Sequence, residues 1–245
     1  HTVLWKDAQG LENLNIPTAA DRYSTYEGIE PLAKEALHWI VPTPQKMEFK
    51  EGNYPLTETL RLNFGSFEVD RAFLSKQLQK GLRLKIALEQ SAEAEIQLIK
   101  NHSLAEEAYQ LNATADEIEI QAASTKGLFY GLQSLHQLLL VAEREGSGIP
   151  LVSIEDAPRF QNRGFMMDLA RNFYPKEKIM QILDYMAFYK LNLLDLRLSD
   201  DEGWRIEIEG LPELTDIGGK RGFTHDESDR LFPMYGSGSG ENPNS

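Results

Sequence analysis

Between residues 163 and 199 the chain alternates strand, helix and strand, and this order restricts its fold more than any other feature. Residues 163–169 are strand-like. Pro175 suits the first position of a helix, where its missing N–H costs nothing. Ile179, Ile182, Leu183 and Met186 then mark one helical face, and residues 191–199 read as the next strand. Two strands joined through a helix form the βαβ unit from which barrels and doubly wound sheets are built. One such unit cannot close a barrel, so the sequence predicts the beginning of a larger α/β body.

Upstream the pattern is different. Residues 1–41 show no sustained period and end at Pro42-Thr43-Pro44, which favours an extended connection; they read as a linker or the tail of a preceding domain. Residues 42–157 mix strands with helices. Residues 59–64 alternate, 70–82 place Phe73, Leu74, Leu78 and Leu82 at helical spacing, and 96–99 read as a strand. Residues 109–115 and 117–122 look like paired strands turning at Ala115-Asp116. Residues 126–142 form a helix with Leu128, Leu132, Leu135 and Leu139 on one face, stopped by Gly146 to Gly148. The expected architecture is therefore an α+β domain, packed by that leucine face, followed at 158–245 by the start of a parallel α/β unit. Residues 200–245, rich in Gly, Pro, Asp and Ser, read as a functional loop or a disordered tail.

Charge and composition narrow the partners. With 38 Asp and Glu against 25 Lys and Arg the net charge is −13, a field that repels a polyanion, so nucleic acid is not an expected partner. A neutral sugar is indifferent to it. The chain has no cysteine, which excludes disulfides and thiolate chemistry. No metal site is expected from the five histidines, which lack ligand spacing, and no cofactor motif occurs. No apolar run approaches the roughly 20 residues of a membrane span; the longest is interrupted by His136 and Gln137.

Several segments resemble a known family. Pro158-Arg159-Phe160 followed by Arg163-Gly164-Phe165-Met166-Met167-Asp168-Leu169-Ala170-Arg171-Asn172 is similar to the opening of the catalytic barrel in glycoside hydrolase family 20. Tyr189-Lys190-Leu191-Asn192 and Ser199-Asp200-Asp201-Glu202-Gly203-Trp204-Arg205 continue the likeness. Gly210-Leu211-Pro212-Glu213-Leu214-Thr215 and Tyr235-Gly236-Ser237-Gly238 resemble the bacterial chitobiase-like branch. Residues 107–135 are similar to the α+β domain that precedes the barrel.

The resemblance implies a (β/α)8 TIM barrel with its site at the C-terminal strand ends. It implies removal of terminal N-acetylglucosamine or N-acetylgalactosamine from oligosaccharides or glycoconjugates, by a retaining mechanism in which the substrate's acetamido oxygen attacks the anomeric carbon. It also implies an adjacent Asp-Glu catalytic pair after the fourth strand, beyond Ser245; no Gly-Gly-Asp-Glu occurs in the 245 residues. The chain alone is then expected to be inactive, with a downstream segment completing the barrel. The family relation suggests a periplasmic or extracellular location.

Individual residues carry two readings each. An arginine is most often a scaffold or surface residue, but Arg171 follows the first strand, where its planar fork can hold two neighbouring hydroxyls. The resemblance makes it the arginine of the non-reducing sugar. Arg163, at the other end of the strand, reads as structural. Asp200 and Asp201 end the second strand, where adjacent carboxylates can raise each other's pKa or merely form a turn. By resemblance Asp200 supports the acid/base through a downstream His, and Asp201 braces the loop. Trp204 is a further candidate, either stacking on a sugar or packing under Arg205.

Asp195 and Arg197 stand where many members carry histidines. They share one strand face and are expected to form an internal ion pair, with Asp168 as a further member. Asp116-Glu117 and Asp226-Glu227 lie in a hairpin and a loop and are not expected to be catalytic. Two rival readings remain at this point: another acetamido-sugar hydrolase that uses Asp200 and Asp201 themselves, and a non-catalytic sugar-binding fragment.

Overall fold

The computed structural model describes residues 3–6, 12–16, 18–29, 39–222 and 228–232. Two units divide the chain, at 1–38 and 39–245. In the first, strands β1 (Val3–Lys6) and β2 (Glu12–Ile16) pair antiparallel, and helix α1 (Ala19–Tyr26) follows. Its start is fixed by a capping box in which Thr18 and Asp21 satisfy each other's backbone N–H groups. Regular structure thus occurs where the sequence shows no period: a short exposed helix needs no apolar stripe when its cap is good, so periodicity misses it.

In the second unit, seven strands form one mixed sheet: β3 (Lys46–Tyr54), β4 (Thr59–Asn63), β5 (Lys85–Glu89), β6 (Ile96–Lys100), β7 (Tyr109–Ala113), β8 (Ile118–Ala122) and β9 (Ile149–Asp156). Their order is β3-β9-β7-β8-β6-β4-β5. The pairs β3/β9, β9/β7 and β7/β8 are antiparallel, whereas β8/β6, β6/β4 and β4/β5 are parallel. Alternation along β7 and β8 sends Leu111, Ala113, Ile118 and Ile120 into the core. Gln110, Asn112, Glu119 and Gln121 take the other face, where Asn101 donates to Gln121 and Ser153 to Asn112.

Helix α2 (Arg71–Gln79) and helix α3 (Thr125–Glu145) cover the apolar face. Leu128, Leu132, Leu135 and Leu139 are all at most 1% exposed, so the predicted leucine face is the packed one. Gly131 lets α3 approach closely: a Cβ there would stand 2.7 Å from the Ile120 methyl. Helix α2 is shorter than predicted. Asp70 is its N-cap and the chain leaves helical geometry at Lys80, before the positive φ of Gly81. Phe73, expected to face inward, is half exposed.

The βαβ unit consists of β10 (Gly164–Asp168), α4 (Lys176–Phe188) and β11 (Leu193–Arg197), the strands pairing in parallel. Pro175 sits one position earlier than predicted, as the N-cap, because its ψ of 156° is still extended. On α4 Met186 is buried, while Leu183 remains partly open.

Polar groups dock this unit onto the α+β domain. The two residues that interrupt the apolar run of α3 make part of the contact. The Gln137 side chain accepts from Val41 N–H at 2.8 Å and donates to the Phe188 carbonyl at 3.0 Å. His136 bonds the Lys80 carbonyl at 2.7 Å and meets the Phe188 ring edge-on, burial lowering its pKa. Lys80 pairs with Asp184 of α4.

Lys190, the one non-glycine with positive φ among the described residues, lies between α4 and β11. Its buried ammonium reaches the Tyr109 hydroxyl at 2.9 Å and Asp156 at 3.1 Å. Tyr109 in turn bonds Ser134 at 2.6 Å and Asp156 at 2.9 Å. Burial pulls the Lys190 pKa down against the field of Asp156. Arg163 completes the junction, donating to the Lys190 carbonyl at 2.8 Å and the Tyr130 hydroxyl at 2.6 Å and pairing with Glu107 at 3.3 Å.

Removing one member of a buried ion pair leaves the other uncompensated and costs about 3–5 kcal/mol, whereas replacing both by apolar groups costs far less. Lys190→Met should therefore lower stability by about that amount, and adding Asp156→Leu should restore part of it. Urea unfolding midpoints of the two variants check this; equal loss in both would mean that the charge pair is not what holds the junction.

Candidate active site

The parallel register places Asp168 beside Arg197 at the C-terminal ends of β10 and β11. Backbone N–H groups of Leu169 and Ala170 both donate to the Arg197 carbonyl, at 2.9 and 3.2 Å, tying the exit of β10 to the end of β11. Met166, Asp168, Asp195 and Arg197 share one face of this pair. The opposite face carries Met167, which is buried, and the half-buried Leu196.

Arg171 stands immediately past β10. Its N–H and guanidinium both bond Asp168, at 3.0 and 2.9 Å, and its second terminal nitrogen lies 3.3 Å from Asp200. Two carboxylates thus hold the fork, and the side chain stays 48% exposed, which leaves donor capacity facing solvent. Asp200 is covered, its side chain 12% exposed, and it also pairs with Arg197.

This corrects the expected ion pair between Asp195 and Arg197. Arg197 lies on the same face as Asp195, but its partner is Asp200, and among the described residues Asp195 has no ion-pair partner. Two strand residues are separated by about 6.6 Å along the chain. Asp195 lies that far back, whereas Asp200 returns beside Arg197 through the turn that follows. The network is also open rather than internal, with the Arg197 side chain 45% exposed.

That turn is a small hairpin of β12 (Ser199–Asp200) and β13 (Gly203–Trp204). Asp201 lies at its tip, exposed, with its N–H donating to Asp200 at 2.7 Å. Of the mutual upward shift that adjacency allows, only one half occurs: Asp200 raises Asp201 but is itself lowered. Hydrogen bonds from Asp201, then the charges of Arg171 and Arg197, lower Asp200 to about 2. Asp201 moves the opposite way, raised by its hydrogen bond to Asp200, by loss of solvent and by the neighbouring negative charges.

Sequence reasoning missed what anchors the hairpin. Glu202 and Arg221 form a buried ion pair at 2.6 Å. Arg205 spans three carbonyls: Leu169 at 2.9 Å, Ala170 at 3.2 Å and Gly219 at 2.6 Å. The signal available was Gly203, where a Cβ would come within 2.5 Å of the Ala170 oxygen. Trp204 is half-buried, its indole N–H donating to the Ile206 carbonyl at 2.6 Å. The Arg205 guanidinium lies 5.4 Å from the centre of the Phe173 ring.

Beyond the hairpin, helix α5 (Glu213–Asp216) and a parallel bridge between Arg221 and Leu231 fold the loop back on itself, so as far as described it is ordered. Asp226-Glu227 and Tyr235-Gly236-Ser237-Gly238 lie outside the described residues. Asp116-Glu117 occupies the β7–β8 turn, its N–H groups held by Thr114. Among the described residues no helix is long and apolar enough to cross a membrane.

Two family models match the chain: "Glycosyl hydrolase family 20, domain 2" over residues 38–157, and "Glycosyl hydrolase family 20, catalytic domain" over residues 160–239. An N,N'-diacetylchitobiase of Vibrio harveyi is 36% identical over 94% of this chain and 27% of its own length. A β-hexosaminidase of Vibrio vulnificus is 34% identical with the same coverage. Among solved structures, the V. harveyi exo-β-N-acetylglucosaminidase in complex with N-acetylglucosamine superposes with a TM-score of 0.69 at 33% identity, over 80% of this chain and 30% of that one. The Streptomyces plicatus N-acetyl-β-hexosaminidase gives 0.64 at 28% identity, over 74% and 40%. The chain thus spans about a quarter of the length of these curated relatives, 27% in both cases.

The opposite shifts of Asp200 and Asp201 can be read directly. Carbon-detected NMR titration should find one aspartate with a midpoint near 2 and its neighbour above the ordinary 3.8. Because the Asp200 value is lowered, its contribution to stability is present above the ordinary carboxylate range and is lost as the pH falls through about 2. Both titrating together at the ordinary value would contradict the network.

Proposed function

Because the chain belongs to glycosyl hydrolase family 20, through its domain 2 and the first part of its catalytic domain, we propose that it works within a longer polypeptide as a β-N-acetylhexosaminidase. Its substrates are then oligosaccharides or glycoconjugates ending in N-acetylglucosamine or N-acetylgalactosamine. The observation that carries the reading is Arg171, a guanidinium fixed by Asp168 and Asp200 at the C-terminal strand ends and half open outward. A planar fork in that position suits two adjacent sugar hydroxyls, which are neutral, so the net charge of −13 does not oppose binding.

In this reading the substrate's acetamido oxygen forms a bond to the anomeric carbon as the glycosidic bond breaks, while a carboxylic acid gives its proton to the leaving oxygen. Asp200, ionised throughout the neutral range, supplies a fixed negative charge that orients a histidine beside the acid. Asp201 braces the turn that carries it. The same family relation motivates a periplasmic or extracellular location, which cell fractionation tests.

A second reading has one observation in its favour. Asp200 low and Asp201 raised are an acid beside a base, the arrangement that two-carboxylate chemistry needs. Against it, Asp200 is committed to two arginines, and Asp201 stands on an exposed turn, where a proton donor gains little from its surroundings.

Two measurements separate these readings. In the longer enzyme, Arg171→Lys keeps the charge but loses the fork, and should raise KM for a chromogenic N-acetylglucosaminide roughly ten- to a hundredfold, the worth of one charged hydrogen-bond pair; unaltered kinetics would sink the role given to Arg171. The isolated 245-residue chain should give no turnover of the same substrate, since a positioned acid alone contributes about 10²- to 10⁴-fold. Turnover at the rate of the longer enzyme would move the chemistry to Asp200 and Asp201.

A further inference from the structure

We propose that Arg205 is a positioning residue for Arg171, fixing the backbone that carries it and thereby setting affinity for the sugar without touching it. The inference rests on the sugar-anchoring role of Arg171.

Arg205 grips the two carbonyls immediately before Arg171, those of Leu169 and Ala170, at 2.9 and 3.2 Å. Two residues after Arg171, the Phe173 ring lies beneath the same guanidinium. The arginine fork is therefore bracketed on both sides in sequence by one side chain. The clamp is itself held. Arg205 N–H donates to the Leu198 carbonyl at 2.8 Å, which docks it on the end of the second strand, and its third carbonyl, Gly219 at 2.6 Å, belongs to the far arm of the loop.

The chemistry of the contact favours geometry over charge. Among the described residues no carboxylate pairs with Arg205; its donors end on carbonyl dipoles, whose directions are fixed by the backbone. Such a rigid planar fork transmits the position of one backbone segment to another, which a flexible ammonium on a single carbonyl would not. Arg171 needs this. Its own tethers are two carboxylates; on the backbone just before it the N–H groups of Leu169 and Ala170 are taken by the Arg197 carbonyl, while the carbonyls of the same two residues are held by Arg205. Gly203 adds the matching constraint, since any side chain there would push the hairpin off the Ala170 carbonyl, at 2.5 Å from the added Cβ.

The test is a double-substitution cycle in the longer enzyme, read as KM and kcat for a chromogenic N-acetylglucosaminide. Arg205→Lys should raise KM roughly ten- to a hundredfold, the scale of a displaced anchoring group, with a smaller change in kcat. In an Arg171→Ala background the same substitution should change KM by less than about twofold, the limit of additivity error. An equal effect in both backgrounds, or none in either, overturns the inference while leaving the role of Arg171 intact. If Arg171→Ala itself leaves KM unchanged, the reading of the anchor fails and this one with it. Phe173→Leu keeps the carbonyl contacts and removes only the ring; it should show the same dependence on Arg171 at smaller amplitude, and it decides the matter should Arg205→Lys not fold.

Discussion

One buried ammonium organises the molecule. Lys190 is the only described residue other than glycine forced to positive φ, and it accepts that backbone cost because its side chain then reaches Asp156 and Tyr109 inside the neighbouring domain. Its carbonyl simultaneously receives Arg163, whose guanidinium lies over the Tyr130 ring. Both strands of the βαβ unit are thereby fixed at their N-terminal ends, β10 through Arg163 and β11 through Lys190. A parallel pair of strands with one helix has little core of its own, as the half-exposed Met166 and Leu193 indicate. Its position derives from the seven-stranded sheet.

At the opposite ends of the same strands the polar groups are arranged for a different purpose. The junction is closed and mutually satisfied, whereas the upper cluster of Asp168, Arg171, Arg197 and Asp200 leaves both arginines about half exposed. Two acids and two bases in alternation neutralise one another without consuming every donor. Under the function proposed above, such a cluster offers an uncharged ligand direction without net attraction.

Much of this was legible in the sequence, and the failures have physical reasons. The leucine face of α3, the β7–β8 hairpin and the βαβ unit were readable because each has a sharp period and one buried side. Strand β3 was not, since it lies at the sheet edge and buries little besides Tyr54, so nothing enforces alternation. Helix α1 is stabilised by its cap instead of a stripe, and its Thr-x-x-Asp signature was passed over. Motif resemblance singled out Arg171 and Asp200, and the strand ends bring the two together. The choice of Asp200 over Asp195 as the partner of Arg197 depended on a turn whose path no local pattern encodes. Arg205 and the Glu202–Arg221 pair were missed for a related reason: their partners lie between 14 and 36 residues away, several of them backbone carbonyls, which carry no sequence signal at all.

The order of the docking partners along the chain has a consequence for biosynthesis. Tyr109, Ser134 and Asp156 all precede Lys190, the nearest of them by 34 residues. With β9 the sheet has all seven of its strands, so the socket is complete before its occupant leaves the ribosome. At about 5–20 residues per second this gives the socket roughly 2 to 7 s to form. A weakly cored βαβ unit therefore emerges next to a finished surface with a place prepared for it, and the interval in which its open strand edges could pair with another nascent chain is correspondingly short.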